Sequence, residues 1–451
     1  MLTVEDSAIA VALPTLAREL QLGLSGLEWV VNAYTVAIAV LLLTGGRLAD
    51  VLGHRRVLLM GLVLFTGASL IAGLAATGPL LIGARAAQGA GAALVMPATL
   101  AMVFAVFPDG RRGTALGLYA GAAAAALALG PLVGALVSET LGWRWIFLLN
   151  VPLGVLGALA VGIALPSDAA NRAARRVDVP GLMISGLGLL LVVFALTEGG
   201  RYGWGSVRVV ALLACAVLAF GVFVQVERRS PAPLIDAGTF RSRRTAGANA
   251  TMLLSTSVMC SVFFFISLYL QTVAGYSALQ AGASFLPMTA LIVVLAPAAG
   301  RMSDRSGPRL PTTSGLLIIA IGLGLLTRLG VEADPWLLLP ALAVVGLGVG
   351  LATTPITAAA LEGLPDDQSG VASGLLNTSR MIGLTVGVAL MGAIMTASWP
   401  GGLAERNVPP EAFVNGLSDA FWANSAIAAL TSIVAASTLP GMAASSRGAA
   451  A

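Results

Sequence analysis

Leu27 to Leu48, Val57 to Ala76 and Leu80 to Val106 are three apolar runs in succession, each near the roughly 20 residues that a helix needs to cross a hydrocarbon core of about 30 Å. Short charged turns join them, too small to hold a domain. Similar runs recur to the end of the chain, at Gly113 to Val137, Trp145 to Leu165, Pro180 to Leu196, Val207 to Val226, Ala246 to Val273, Gln280 to Gly300, Pro311 to Leu329, Trp336 to Pro355, Val371 to Ala397 and Asp419 to Leu439. With a shorter first run from Met1 to about Ala17, the expectation is an all-α polytopic membrane protein of fourteen spans. Composition agrees, because 57% hydrophobic against 10% charged residues in a 451-residue chain is outside the range of soluble globular proteins.

One turn occurs twice. Gly46-Arg47-Leu48-Ala49-Asp50-Val51-Leu52-Gly53-His54-Arg55-Arg56 returns as Gly300-Arg301-Met302-Ser303-Asp304-Arg305-Ser306-Gly307-Pro308-Arg309. Both read as tight reversals between helices, with glycines where the chain turns, an Asp able to cap a helix start, and arginines that stay out of hydrocarbon. The repeat runs on, since Gln88-Gly89-Ala90-Gly91 through Pro97 is echoed by Val345-Gly346-Leu347-Gly348 through Pro355. The chain therefore divides into a first six-helix half, residues 1–165, a segment of two inserted spans with polar linkers, 166–245, and a second six-helix half, 246–451. Repeats of like orientation about an axis normal to the membrane characterise a large class of secondary transporters.

All 25 basic residues are arginine. If the turn after the second span is cytoplasmic, only Arg18, Arg144, Arg201, Arg208, Arg328 and Arg406 fall outside and Arg85 and Arg380 within spans, so the remainder obey the positive-inside rule. Both termini are then cytoplasmic. The net charge of +4 reports this orientation and not a nucleic-acid partner. The first run is short and carries Glu5 and Asp6 near its start, which suggests either that Met1 is an internal methionine of a longer first span or that the first helix is genuinely short.

No loop carries an enzyme motif. Without lysine there is no Walker-type phosphate loop, so any pumping must draw on an ion gradient or on a partner, and no cofactor is expected. Cys215 and Cys260 lie in apolar runs, and no disulfide or metal site is expected. His54, the one histidine, is expected to be solvated in its turn. Ionisable groups inside spans are costly and so are functional candidates. In the first half these are Glu5, Asp6 and Arg85: a carboxylate that gains and loses a proton is the minimum for proton coupling, and a nearby arginine would favour its ionised form. The bland alternative has Arg85 bonding neighbouring carbonyls and Glu5 at a surface terminus. Gly130-Pro131 with Gly134 interrupts the fifth span, where proline removes a backbone hydrogen bond and glycine allows a close neighbour. Asn32, Gln88, Asn249, Gln271, Asn377 and Arg380 are polar candidates for a central cavity, each equally able to bridge helices. Arg380 lies some ten residues into its span and could face the cavity or reach back to the inner surface.

The Gly46-to-Arg56 turn resembles the first signature of the major facilitator superfamily. Leu81-Ile82-Gly83-Ala84-Arg85 through Gln88-Gly89 is similar to its fourth-span signature, and Gly130-Pro131 with Gly134 to its fifth-span antiporter signature. Glu5 through Pro14, Gly142-Trp143-Arg144 through Pro152, and Tyr269-Leu270-Gln271 through Ser277 resemble patterns of the fourteen-span drug:proton antiporters. There are departures: Glu5 stands where the family has Asp, and Val51 where it usually has a basic residue. The resemblance implies a monomeric exporter of an amphipathic small molecule, an antibiotic or dye, in exchange for inward protons. The two halves would rock in the lipid bilayer about a midplane site. It also implies that Gly46, Arg47, Asp50, Gly53, Arg55 and Arg56, with Gly300, Asp304 and Gly307, form the gating turns, and that Glu5, Asp6 and Arg85 couple protons. A bacterial cytoplasmic membrane is the expected location. Against this stand an uptake permease of the same superfamily and a non-transporting receptor or scaffold, for which the loops are short.

Overall fold

The computed structural model describes residues 5, 8–9, 15–16, 19–22, 24–107, 111–165, 178–202, 206–230, 242–362, 369–397 and 409–441. They are helical throughout their regular structure, with no strand among the described residues. After helical residues of an amino-terminal segment (Glu5, Ala8, Ile9, Thr15, Leu16, Glu19) come α1 Leu24–Leu52, α2 His54–Gly73, α3 Gly78–Val106, α4 Arg112–Thr140, α5 Arg144–Leu148, α6 Asn150–Ala164, α7 Val179–Tyr202 and α8 Val207–Arg229. The second series is α9 Arg243–Thr272, α10 Ala278–Ser284, α11 Leu286–Ser306, α12 Arg309–Leu326, α13 Pro335–Leu361, α14 Ser369–Ala397 and α15 Pro410–Thr438. Ten helical stretches among the described residues are long and apolar enough to cross a membrane.

Two spans expected as single helices are broken. Trp145 to Leu165 becomes α5 and α6, and Gln280 to Gly300 becomes α10 and α11. Pro152 and Pro287 sit just inside the second pieces, where the first turn tolerates a residue with no N–H to donate. Start signals are local. Ser277 and Gln280 form a reciprocal capping box at α10, and Asp334 accepts from Trp336 N at 2.9 Å to open α13. Gly53 and Gly307, at the same place in the two repeated turns, have φ of +95° and +79°, a region open to glycine and strained for other residues.

The sequence repeat is written into the packing. An added Cβ on Gly89 would strike the Tyr34 carbonyl of α1, and one on Gly346 would strike Met288 of α11. Gly91 lies on Phe65 of α2, as Gly348 lies on Gly315 and Ile319 of α12. Thus α3 nests between α1 and α2 just as α13 nests between α11 and α12. Small residues allow this close approach, which gives the dispersion contact that lipid-embedded helices depend on. Across the two series, α1 packs on α14, and α11 on α4.

The inserted helices α7 and α8 pair with each other. Leu182 of α7 joins Leu43 of α1 and Val371 of α14 in one apolar cluster, with Phe223 of α8 against it. Val207, Val217 and Leu218 of α8 remain exposed, a face suited to hydrocarbon. Packing at the glycines of α3 can be tested by substitution. Gly89→Ala should lower stability by about 1–3 kcal/mol through overpacking. Gly83→Ala, on the same helix with nothing within 4 Å of the new Cβ, should melt no lower than the parent in detergent. Equal melting of the two variants would contradict the packing.

Candidate functional site

Two deeply buried charges meet inside the first series of helices. Glu5 is 2% exposed and Arg85 1%. Arg85 Nη1 donates to Glu5 Oε1 at 2.5 Å and to Gln88 Oε1 at 3.1 Å, while its Nε donates to the Val30 carbonyl at 3.1 Å. Its guanidinium lies 4.1 Å from the Tyr34 ring centroid, a cation–π contact. The other Glu5 oxygen accepts from Asn150 Nδ2 at 2.5 Å and from Gln88 Nε2 at 3.2 Å, and Gln88 Nε2 also donates to Ser69 Oγ at 2.7 Å. Desolvating two full charges is offset only by such complete pairing. A mostly apolar cavity of about 240 Å³ opens beside the carboxylate, walled in part by Asn150 of α6 and by Val133 and Gly134 of α4. Gly134 also lies against Ala8, so α4 and the amino-terminal segment touch at the wall of this cavity. Here the glycine motif and the candidate proton carrier meet.

The repeated turns form two matching latches. Asp50, at the end of α1, accepts from Gly370 N at 2.6 Å and Val371 N at 2.8 Å, the free amides at the start of α14. Asp304, at the end of α11, accepts from Gly113 N at 2.8 Å, Thr114 N at 3.1 Å and Thr114 Oγ1 at 3.0 Å at the start of α4. In each case a carboxylate satisfies orphan N–H groups and faces the positive end of a helix dipole. Glycines bring the chains together: Gly46 lies on the Gly370 carbonyl, and Gly300 on that of Gly113. Both latches lie at the same end of the bundle, called here the latch end.

Around them, Arg47 is buried, Arg56 is exposed and Arg55 Nη2 donates to the Gly162 carbonyl of α6. Arg244 Nη2 donates to Glu362 at 2.5 Å where α9 meets the end of α13. Burial pushes the Glu362 carboxyl above its usual value, against the lowering by Arg244. His54 corrects its expected solvation. Its Nε2 is 3.4 Å from Asp50 Oδ1 and 3.2 Å from Ser369 Oγ, inside the first latch.

A second cavity of about 140 Å³ lies between the two helix series, directly beyond the latches. Leu116 and Tyr119 of α4, Ala296 of α11, and Asn377 and Arg380 of α14 line it. Two of the expected cavity residues, Asn377 and Arg380, are therefore in place. The others are held elsewhere. Gln88 is occupied by the Glu5 cluster, while Asn249 donates to the Thr245 carbonyl and accepts from Ser379 Oγ to join α9 to α14. Exposed Gln271 bonds Ser267 of its own helix, and half-buried Asn32 is not in the lining of either cavity. Asp6 lies outside the described residues. α4 runs unbroken through Gly130 and Pro131. Sequence reasoning did not assign Asn150, Ser69, Tyr34 or Tyr119 to a site, because which polar residues of the apolar runs meet the buried charges is set by partner helices far away in sequence.

A family model described as Major Facilitator Superfamily matches residues 1–388. The chain belongs to that superfamily. Among curated members it is 35% identical over 405 residues to "Multidrug resistance protein Stp" of Mycobacterium tuberculosis, covering 88% of this chain and 74% of that one. It is 33% identical over 416 residues to the "Tetracenomycin C resistance and export protein" of Streptomyces glaucescens, covering 91% and 77%. It is 38% identical over 408 residues to the "Cephamycin export protein CmcT" of Amycolatopsis lactamdurans, covering 89% and 84%. In fold it is similar to the human organic anion transporter MFSD10, with TM-score 0.67 at 14% identity over 96% of each chain. It is likewise similar to the proton:xylose symporter XylE, with TM-score 0.66 at 15% identity over 97% of this chain and 93% of that one. The major facilitator fold places the Glu5 cluster within one helix series and the Arg380 cavity between the two.

The buried pair yields a test of its own. Arg85→Met alone should destabilise the protein by about 3–5 kcal/mol, since it strands a buried carboxylate, and adding Glu5→Gln should recover most of that loss. A double-mutant cycle by thermal unfolding measures the coupling, and strict additivity would show that the two side chains do not act as a pair.

Proposed function

We propose that the chain is an efflux transporter that exports an amphipathic small molecule by alternating access, driven by inward proton movement. The observation that carries this reading is the pair of latches holding the bundle shut at one end, with a mixed apolar and polar cavity directly behind them. The names of its relatives support export of antibiotics or drugs as the class of activity. In this reading the protein is a carrier and not an enzyme, a monomer of fourteen spans in a bacterial cytoplasmic membrane with both termini and the latch end on the cytoplasmic side. The two halves at 1–165 and 246–451 move against each other, and α7 and α8 ride outside the transport path.

Glu5 is the proton carrier. With Arg85, Gln88 and Asn150 all donating to it, or to each other around it, the ionised carboxylate is held at rest. A proton reaching Glu5 cancels its attraction to Arg85 and loosens the contacts of the amino-terminal segment with α3 and α6. The adjoining 240 Å³ cavity leaves open space beside the carboxylate into which the amino-terminal segment can shift. Gly134 lets α4 shift against that same segment. Protonation and movement of the α4–α11 interface are thereby joined through one helix.

Inverted membrane vesicles test the coupling. After energisation, a panel of antibiotics and dyes is added and lumenal pH is followed by a quenched dye. The expected result is compound-dependent loss of the pH gradient, abolished by Glu5→Gln with the protein still folded. A gradient loss that survives Glu5→Gln unchanged would remove Glu5 from the coupling step.

A further inference from the structure

We propose that the cavity at Arg380 selects anions, and that the exported compound is an amphiphile with an aromatic or polycyclic body and a single acidic group. This inference rests on the export reading and names its substrate class. Arg380 is exposed to the cavity and lies roughly 16 Å along α14 from Ser369, near the middle of a span. Among the described residues it makes no ion pair and no hydrogen bond. No Asp or Glu occurs among the residues lining the cavity. A guanidinium at this depth without a protein counter-ion is unfavourable, and the deficit is relieved by an anion arriving with the solute. The planar fork of Arg suits a carboxylate, which it can hold through two parallel hydrogen bonds.

The remaining lining fits the body of such a molecule. Met252, Met259 and Phe263 of α9 give an apolar, adaptable wall, since methionine repacks readily around different shapes. Asn377 lies one turn before Arg380 on α14, and the Tyr119 hydroxyl side chain shares the cavity from α4. The two halves differ here. By the register of the latches, where Gly113 matches Gly370, the α4 positions answering Asn377 and Arg380 are Ala120 and Ala123. One half brings the charge and the other clears the space. Neither the repeated turns nor the Glu5 cluster duplicates this feature, because Arg85 is already committed to Glu5.

The charge of the solute has a consequence for energetics. One proton moving in and one monoanion moving out displace two charges in the same direction, so an inside-negative potential drives the exchange. Exchange of a proton for a monocation moves none.

The test uses the full chain in lipid nanodiscs, with three probes of one shape: 2-naphthoate, its uncharged carboxamide, and 2-naphthylmethylammonium. Calorimetric titration against empty nanodiscs should find the acid binding about tenfold tighter than the amide, as expected for a hydrogen bond to a charged group, and the ammonium weaker still. Arg380→Gln should bring acid and amide to similar affinity, and Arg380→Lys should keep part of the preference, with unfolding temperatures confirming that both variants fold. An acid that binds no better than the amide, no binding of any probe, or a preference unchanged in Arg380→Gln would each overturn the proposal. Vesicle measurements separate this failure from that of the export reading. Arg380-dependent naphthoate binding in a protein that moves no proton with any compound overturns export and keeps the anion site. Proton-linked movement of the ammonium with no preference for naphthoate does the reverse.

Discussion

A carboxylate set against the free amides of a helix start is the interaction on which the arrangement of the two helix series depends. It occurs twice, with Asp50 at the start of α14 and Asp304 at the start of α4. Each contact joins one series to the other, and each is bonded at both carboxylate oxygens. Charge against a helix dipole in partly buried geometry is worth up to about 2 kcal/mol. Two such contacts favour a closed end firmly, yet remain within the few kcal/mol that a transported solute can reverse.

Glycine makes the latch possible. At Gly46 on Gly370 and Gly300 on Gly113, any side chain would push the helices apart and take the amides out of reach of the aspartates. The turns themselves need Gly53 and Gly307 at positive φ. Side chains then specialise the two symmetric crossings. The first latch holds His54 against Asp50 and Ser369, where the second has Pro308. The cavity beyond is alanine-lined on α4 and carries Arg380 on α14. A symmetric frame thus encloses an asymmetric cavity, with the buried Glu5–Arg85 pair placed to one side of it.

Much of this was legible in the residues. The duplicated turn implied two related halves, and in the structure Gly89 and Gly346 lie against backbone of corresponding neighbour helices. Glu5 and Arg85 stood out because ionised groups in apolar runs are rare. What stayed hidden is what depends on distant partners. Asn150 reaches Glu5 across 145 positions of chain, a contact that no local spacing announces. Gln88 and Asn249 were indistinguishable in sequence from cavity residues, since an amide that bridges helices and one that meets a solute sit in the same apolar surroundings. The charged turn around His54 suggests a solvated imidazole, whereas the start of α14, 315 positions on, sets Ser369 against it. The breaks at Leu149 and Phe285 were blurred because apolar character continues across them.

The most direct measurement is the width of the latch end. Spin labels at Arg56→Cys on α2 and Arg243→Cys on α9, both exposed and on opposite series, report that distance by pulsed electron paramagnetic resonance once Cys215 and Cys260 are replaced by serine. The parent should give one narrow, short distribution, and Asp50→Asn with Asp304→Asn should add a longer population, greater in the double variant than in either single one. A distribution unchanged by loss of both carboxylates would show that something other than these two contacts closes the protein.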